Sequence, residues 1–250
     1  MKKKSIYYVM GLLLMMNLWA CNQEEFLENE IVDQGQNTDL LARGFYADLY
    51  TIAEGWDMSA DYYLRAIVNE MFQGEYMMYY QVLLRLDETF SEKISYIFID
   101  DHLFSLGAYD PIRNDMFFRS VYDIYEAFPE EYIHFLQDLC YGISLFGFYV
   151  NDAILLEFEA KVLRDICDGE RYCDLYTGMG KYHPGSYIRW INEIRDLMAG
   201  MPFELIEEGY DGISYYDFLE DYAAYIGNTV PGGRDVPQLL QFAFSGEWRN

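Results

Sequence analysis

Apolar residues recur at three- and four-residue spacing along most of the chain from Thr38 onward, as on the buried face of an α-helix. In the first such segment Leu41, Phe45, Leu49 and Ile52 fall on one face. The same spacing, bounded by capping residues, glycines and prolines, predicts about ten helices in all. They cover residues 38–52, 59–71, 76–86, 91–106, 111–125, 129–150, 153–166, 186–198, 219–226 and 237–244.

No segment alternates apolar and polar residues for long enough to predict a sheet. One alternative concerns residues 94–99, whose apolar side chains could form a strand instead of part of a helix. Pro111 occupies a first-turn position, where a helix does not need its N–H. Residues 214–217 have the pattern of a capping box. We therefore expect an all-α fold, with a single globular multi-helix domain over residues 38–250.

The first 20 residues differ from the rest of the chain. Three lysines at positions 2–4 precede an apolar run, which ends at Ala20 and is followed by Cys21. This pattern predicts a secretory signal peptide over residues 1–20, too short and wrongly flanked for a membrane-spanning helix. Residues 22–37 are polar and lack a periodic apolar face, so residues 21–37 are expected to form a flexible tether.

Residues 18–21 (Leu-Trp-Ala-Cys) resemble the lipobox of bacterial lipoproteins, although Trp19 is bulkier than the usual residue. The resemblance implies that Cys21 becomes the N-terminus and carries fatty acyl chains such as palmitate. Because one acyl chain anchors a protein only marginally, several chains are needed for firm attachment to the outer membrane. The alternative is an ordinary cleaved signal in which Cys21 is incidental.

The residues just after Cys21 are acidic. Gln23, Glu24 and Glu25 resemble the short export signal of Bacteroidota lipoproteins that are moved to the cell surface. This resemblance implies an extracellular location on the outer membrane. Retention in the periplasmic leaflet is the alternative.

The net charge of −25 restricts the possible partners. Residues 1–20 hold three of the 17 basic residues and none of the 42 acidic ones, so the mature chain would carry −28. Such a field repels phosphate backbones and anionic lipid surfaces, which argues against nucleic-acid binding. It suits a cationic partner or divalent metal ions, although simple solubility at a crowded surface also explains it. The apolar fraction of 52% is ample for a packed core.

Export would place the cysteines in a compartment that permits disulfides. Cys167 and Cys173 lie on either side of a helix end predicted at residues 168–169 and are a candidate disulfide pair. Cys140 lies within an apolar helical stretch and is expected to be a buried hydrophobe. No pair of cysteines has the two-residue spacing of a zinc or redox site.

Motifs for catalysis and cofactors are weak. Residues 175–182 do not complete a phosphate-binding loop, and residues 142–146 do not complete a serine-hydrolase elbow. Glu131 and His134 are three residues apart, like half of a helical di-iron site, and Glu157 is a possible further ligand. A hydrogen-bonded helix histidine is the simpler interpretation. We therefore predict no catalytic residue, no metal and no cofactor.

The chain contains 25 tyrosines and four tryptophans. Exposed aromatic side chains suit protein or sugar partners, and Trp56, Trp190 and Trp248 are the candidate contacts. Cys21 followed by residues 25–27 (Glu-Phe-Leu) also resembles the mature N-termini of glycan-capturing lipoproteins from Bacteroidota polysaccharide-uptake systems. The leading hypothesis is therefore a non-enzymatic, lipid-anchored protein of the outer membrane that binds a protein or glycan partner.

Two other functions stay open. The first is an immunity lipoprotein, in the periplasm or at the surface, that neutralises a basic secreted toxin through complementary charge. The second is a hydrolase that uses paired carboxylates. The hydrolase ranks last because no motif supports it.

Overall fold

The computed structural model describes residues 49–72, 92–142, 153–168, 184–197, 211–230 and 237–245. Within these ranges the chain forms seven α-helices, one short 3-10 helix and one three-stranded sheet. The helices are α1 (Leu49–Ile52), α2 (Asp61–Phe72), α3 (Ile124–Tyr141), α4 (Ala153–Asp168), α5 (Pro184–Leu197), α6 (Tyr215–Tyr225) and α7 (Gln238–Ser245), and the 3-10 helix is Met58–Ala60. The strands are β1 (Tyr96–Ile99), β2 (Gly107–Asp110) and β3 (Asp115–Phe118).

The sheet shows that the prediction of an all-α fold with about ten helices was wrong. It replaces the helix predicted over residues 91–106 and most of the one predicted over 111–125, while the alternative of a strand within 94–99 is confirmed by β1. Pro111 opens the β2–β3 turn and not a helix. The Asp110 carboxylate accepts hydrogen bonds from the N–H groups of Ile112 and Arg113, and Asn114 has a φ of 57°. These features favour a tight turn over a helix start.

Strand β3 lies in the middle of the sheet. It pairs with β2 in an antiparallel hairpin and with β1 in parallel. Parallel bridges from Ala53 to Ile94 and from Trp56 to Ile97 attach the segment after α1 to the far side of β1. The segment between α1 and the 3-10 helix therefore protects part of the β1 edge.

Several predicted helices are confirmed. Helices α4, α5 and α7 lie within two residues of the predicted bounds, and α6 begins with the expected capping box between Ser214 and Asp217. Helix α3 begins at Ile124, before Pro129, and ends where Gly142 adopts a left-handed conformation with a φ of 63°. Glycine adopts this conformation without the steric cost of a Cβ atom. The helix predicted over residues 76–86 lies outside the described residues.

The core joins the sheet to the helices. Helix α3 packs against α2, α4 and the sheet, and α4 packs in turn against α5, α6 and α7. Fully buried side chains mark these contacts, among them Phe118, Phe128, Phe158, Trp190 and Phe218. Across the described ranges, no helix is both long enough and apolar enough to span a membrane.

Candidate functional site

The two faces of the sheet carry different side chains because successive residues of a strand point in opposite directions. Ile97, Met116 and Phe118 point inward and are fully buried. Gly107 on β2 lies so close to α3 that a Cβ atom there would meet Glu131 Cγ at 2.8 Å. Helix α3 therefore covers the inward face, and glycine at position 107 permits the close approach.

The outward face carries a row of three aromatic rings. Tyr96 and Phe98 of β1 have ring centroids 4.5 Å apart, and Phe98 stacks on Phe117 of β3 at 5.1 Å with an interplanar angle of 12°. The Phe98 side chain is 36% exposed. Phe98 is the most exposed ring of the row, whereas Tyr96 and Phe117 are half-buried, so a ligand bound to this row would cover mainly Phe98.

Two carboxylates lie on the same outward face, next to the rings. Asp115 is opposite both Tyr96 on β1 and Asp110 on β2. Partial burial, followed by the negative charge of Asp110, raises the pKa of Asp115, against the opposing effects of Arg113 and the Tyr96 N–H. Arg113 Nε lies 3.7 Å from Asp110 Oδ2. We call Tyr96, Phe98, Phe117, Asp110 and Asp115 together the aromatic sheet face.

This combination can recognise two kinds of group. Flat aromatic rings stack against sugars, peptide groups or other rings, and they also attract cations placed over them. The neighbouring carboxylates can accept hydrogen bonds from hydroxyl or N–H donors and can bind a positive charge. The aromatic sheet face therefore has the chemistry of a binding surface.

A second polar feature lies between α3 and α4. Glu130 on α3 accepts hydrogen bonds at 2.8 Å from Lys161 Nζ and from Arg164 Nη1, both on α4. The three side chains are at most 12% exposed. Burial opposes ionisation of Glu130, but the charges of Lys161, Arg164 and His134 hold the pKa of this carboxyl well below its usual value. Glu130 is therefore a nearly buried carboxylate held between two buried cations.

Three more titratable groups adjoin this ion pair. His134 Nε2 lies 3.7 Å from Glu157 Oε1, and Nδ1 of the same ring lies 2.8 Å from Gln137 Oε1. Burial disfavours the imidazolium, but Glu157, Glu131 and Glu130 raise the pKa of His134. Burial raises the pKa of Glu131 to about 8, despite the opposing charge of His134.

Glu130, His134 and Glu157 each place one potential ligand atom within 4.8 Å of the other two. A divalent metal ion there would lie close to Lys161 and Arg164, which already bind both oxygens of Glu130. Two buried cations beside a metal ion would repel it strongly. The arrangement fits an ion-pair network better than a metal centre. The prediction that His134 is a hydrogen-bonded helix histidine is confirmed by its contact with Gln137.

The network continues to helix α7 through a fourth carboxylate. Glu159 is 1% exposed and accepts hydrogen bonds from Gln137 Nε2 at 2.7 Å and from the Leu240 N–H at 3.0 Å. The hydroxyl of Tyr141 lies 3.0 Å from both Glu159 oxygens and accepts a hydrogen bond from the Gln238 N–H at 2.6 Å. Glu159 and Tyr141 together satisfy backbone donors of the first turn of α7, which joins this helix to the core.

The tryptophans predicted as partner contacts occupy other positions in the structure. Trp56 is 8% exposed and donates from Nε1 to Asp61 Oδ1 at 3.0 Å, while Trp190 is 1% exposed and stacks on Phe218. Both are core residues, so the surface role proposed for them is corrected. Trp248 lies outside the described residues.

Of the other predicted site residues, only Cys167 lies within the described ranges. Cys167 is buried on α4, but its suggested partner Cys173 lies outside the described ranges. Cys21, Gln23, Glu24 and Glu25 lie outside them as well. The sequence pattern did not predict Phe98 and Phe117 as site residues; the strand alternative over residues 94–99 was the available signal for Phe98.

Comparison with known proteins adds no functional assignment: no protein-family model, no curated protein and no solved structure matches the chain.

Proposed function

We propose that the protein is a non-enzymatic lipoprotein, anchored to the outer membrane by Cys21 and displayed at the cell surface, whose folded body binds a protein or glycan partner. The aromatic sheet face is the observation that supports binding. Its three rings lie on the face opposite α3, and the nearby carboxylates can orient a ligand. The lipobox-like residues 18–21 and the acidic residues after them support the location.

The proposed anchor is a covalent lipid and not the protein surface. The net charge of −28 expected for the mature chain opposes contact with anionic lipid head groups, so attachment depends on the acyl chains. We expect Cys21→Ala to move the protein from the membrane fraction to the soluble or secreted fraction. Immunoblots of fractionated cells measure this shift, with Cys140→Ala as the matched control that stays membrane-bound. Membrane retention of the Cys21→Ala protein would contradict the anchor.

The binding role predicts that a partner is lost when the aromatic row is interrupted. Phe98 and Tyr225 are similarly exposed, at 36% and 39%, but Tyr225 belongs to α6 and not to the sheet. We expect Phe98→Ala to reduce recovery of a specific partner about tenfold, as for a central interface residue, and Tyr225→Ala to leave it unchanged. Quantitative co-purification from native membranes, with the mature lipidated protein as bait, measures the recovery. The absence of any specific partner for the wild-type bait would contradict the proposed function.

An immunity lipoprotein is the second candidate, because the Asp110–Asp115 pair and the negative net charge would complement a basic toxin. A toxin gene next to this one would favour immunity. Neighbouring transporter and glycosidase genes would favour glycan capture. Protection of cells from that toxin, lost in Phe98→Ala, tests the immunity function directly.

A further inference from the structure

The aromatic sheet face combines apolar and acidic groups within a small area. Phe98 and Phe117 stack as nearly parallel rings, and Asp115 lies two residues before Phe117 on the same face of β3. Asp110 is the direct cross-strand neighbour of Asp115. Like charges in directly opposite positions destabilise a sheet, so this pair has an energetic cost that a bound cation would reduce.

Charge complementarity distinguishes between possible occupants of this face. Among the described residues, Arg113 is a cation beside the pair: its Nε lies 3.7 Å from Asp110 Oδ2, and the Arg113 and Asp110 side chains are 69% and 29% exposed. An ion pair this exposed is weak in water and can be exchanged for another. The net charge of −25 adds a long-range attraction for positively charged molecules. A neutral glycan would stack on the rings but would gain nothing from this field.

We propose that the aromatic sheet face binds a basic segment of a protein partner, with an arginine or lysine side chain lying over Phe98 and its charge directed toward Asp115. The rings supply cation–π and apolar contact, and the carboxylates supply charge-assisted hydrogen bonds. The inference rests on the proposed binding function and specifies its partner. An arginine side chain fits best because its planar guanidinium can stack on a ring and bind a carboxylate at the same time.

The test uses the full-length protein in detergent micelles and a fluorescent peptide of alternating glycine and arginine, with binding followed by fluorescence anisotropy. We expect Asp115→Asn to weaken binding by up to about fivefold, in line with the strength of exposed charge pairs. Glu126→Gln removes the same charge from an exposed position on α3, which packs against the opposite face of the sheet. This control should change the affinity much less.

The aromatic contribution is tested with the same peptide. We expect Phe98→Ala to weaken binding by about threefold to thirtyfold, the range for cation–π contacts, and Tyr225→Ala to leave it unchanged. Phe98→Leu keeps most of the side-chain volume but removes the ring, so it separates loss of stacking from loss of folding. Circular dichroism of each variant checks that the fold is intact, and a glycine–glutamate peptide should not bind.

Specific outcomes would overturn the inference. Equal weakening by Asp115→Asn and Glu126→Gln would show that the peptide responds only to net charge. Unchanged affinity in Phe98→Leu would show that the ring is not used. If a partner is recovered from membranes in a Phe98-dependent way but is a neutral glycan, the basic-segment inference fails while the binding function stands. If no partner of any kind is recovered, the proposed function itself fails.

Discussion

Glu130→Gln is expected to lower the free energy of unfolding by about 3–5 kcal/mol, the usual cost of removing one partner from a buried ion pair. Glu130 is the carboxylate that both Lys161 and Arg164 contact at 2.8 Å between α3 and α4. Its replacement by a neutral amide leaves two buried cations with much less compensating charge. Urea unfolding at neutral pH, followed by circular dichroism, measures the loss.

Glu126→Gln is the matched control, since Glu126 lies one turn before Glu130 on the same helix but is exposed. This variant should lose less than about 1 kcal/mol. The double variant Glu130→Gln with Lys161→Met also removes one of the buried cations, so it should recover part of the stability. A loss below about 1 kcal/mol in Glu130→Gln would contradict a buried network, because exposed ion pairs have that strength.

The amino-acid pattern predicted the helices better than the sheet for a physical reason. Helices α4 and α5 are amphipathic over many turns, so periodicity reveals them without knowledge of the rest of the fold. The strands have only four residues each. The four residues of β1 are all apolar and do not alternate, and their conformation depends on parallel pairing with β3, from which β2 separates them along the chain. Such pairing is a tertiary property that a local pattern does not contain.

The site residues also divide into those that a local sequence pattern reveals and those that only the fold brings together. Glu131 and His134 stood out from the sequence because they are three residues apart on one helix, and Glu157 was named beside them. Lys161 and Arg164, which make a metal ion unfavourable at this place, lie on the same helix α4 as Glu157, but only the packing of α4 against α3 brings them to Glu130. The aromatic row was hidden because Phe98 and Phe117 become neighbours only through strand register. Conversely, Trp190 was an attractive surface candidate by residue type alone, yet it lies in the core.

Glu131 gives the fold a specific dependence on pH. Its side chain is 8% exposed and packs against Gly107, and burial raises its pKa from 4.5 to about 8. The folded protein thus holds this proton more tightly than the unfolded chain does. The resulting stability is fully present below pH 4.5 and is lost as the pH rises to about 8. His134 acts in the same direction, because its pKa is also raised in the folded protein. Glu130 acts in the opposite direction: because folding lowers its pKa, its contribution to stability is present at pH values above its pKa in the unfolded chain.

The free energy of unfolding of the wild type should fall by about 3–5 kcal/mol between pH 4.5 and pH 8 because of Glu131, the magnitude that corresponds to its raised pKa. Glu131→Gln is expected to remove this fall. The amide keeps the size of the side chain but cannot ionise in its buried position. At pH 4.5 the variant and the wild type should have similar stability. Near pH 8 the variant should be the more stable of the two. Urea unfolding of both proteins across this range measures the difference.

The informative quantity is the difference in unfolding free energy between the wild type and Glu131→Gln at each pH. Electrostatic self-repulsion at a net charge of −25 also changes with pH, but it is nearly the same in both proteins and cancels in this difference. Glu126→Gln removes one exposed charge from the same helix and should follow the wild-type curve. Parallel curves for Glu131→Gln and the wild type would show that Glu131 is ionised in the folded state throughout the range. The charges of His134 and Lys161 would then outweigh the burial of this carboxyl, and Glu130 and Glu131 would both be ionised side by side on α3.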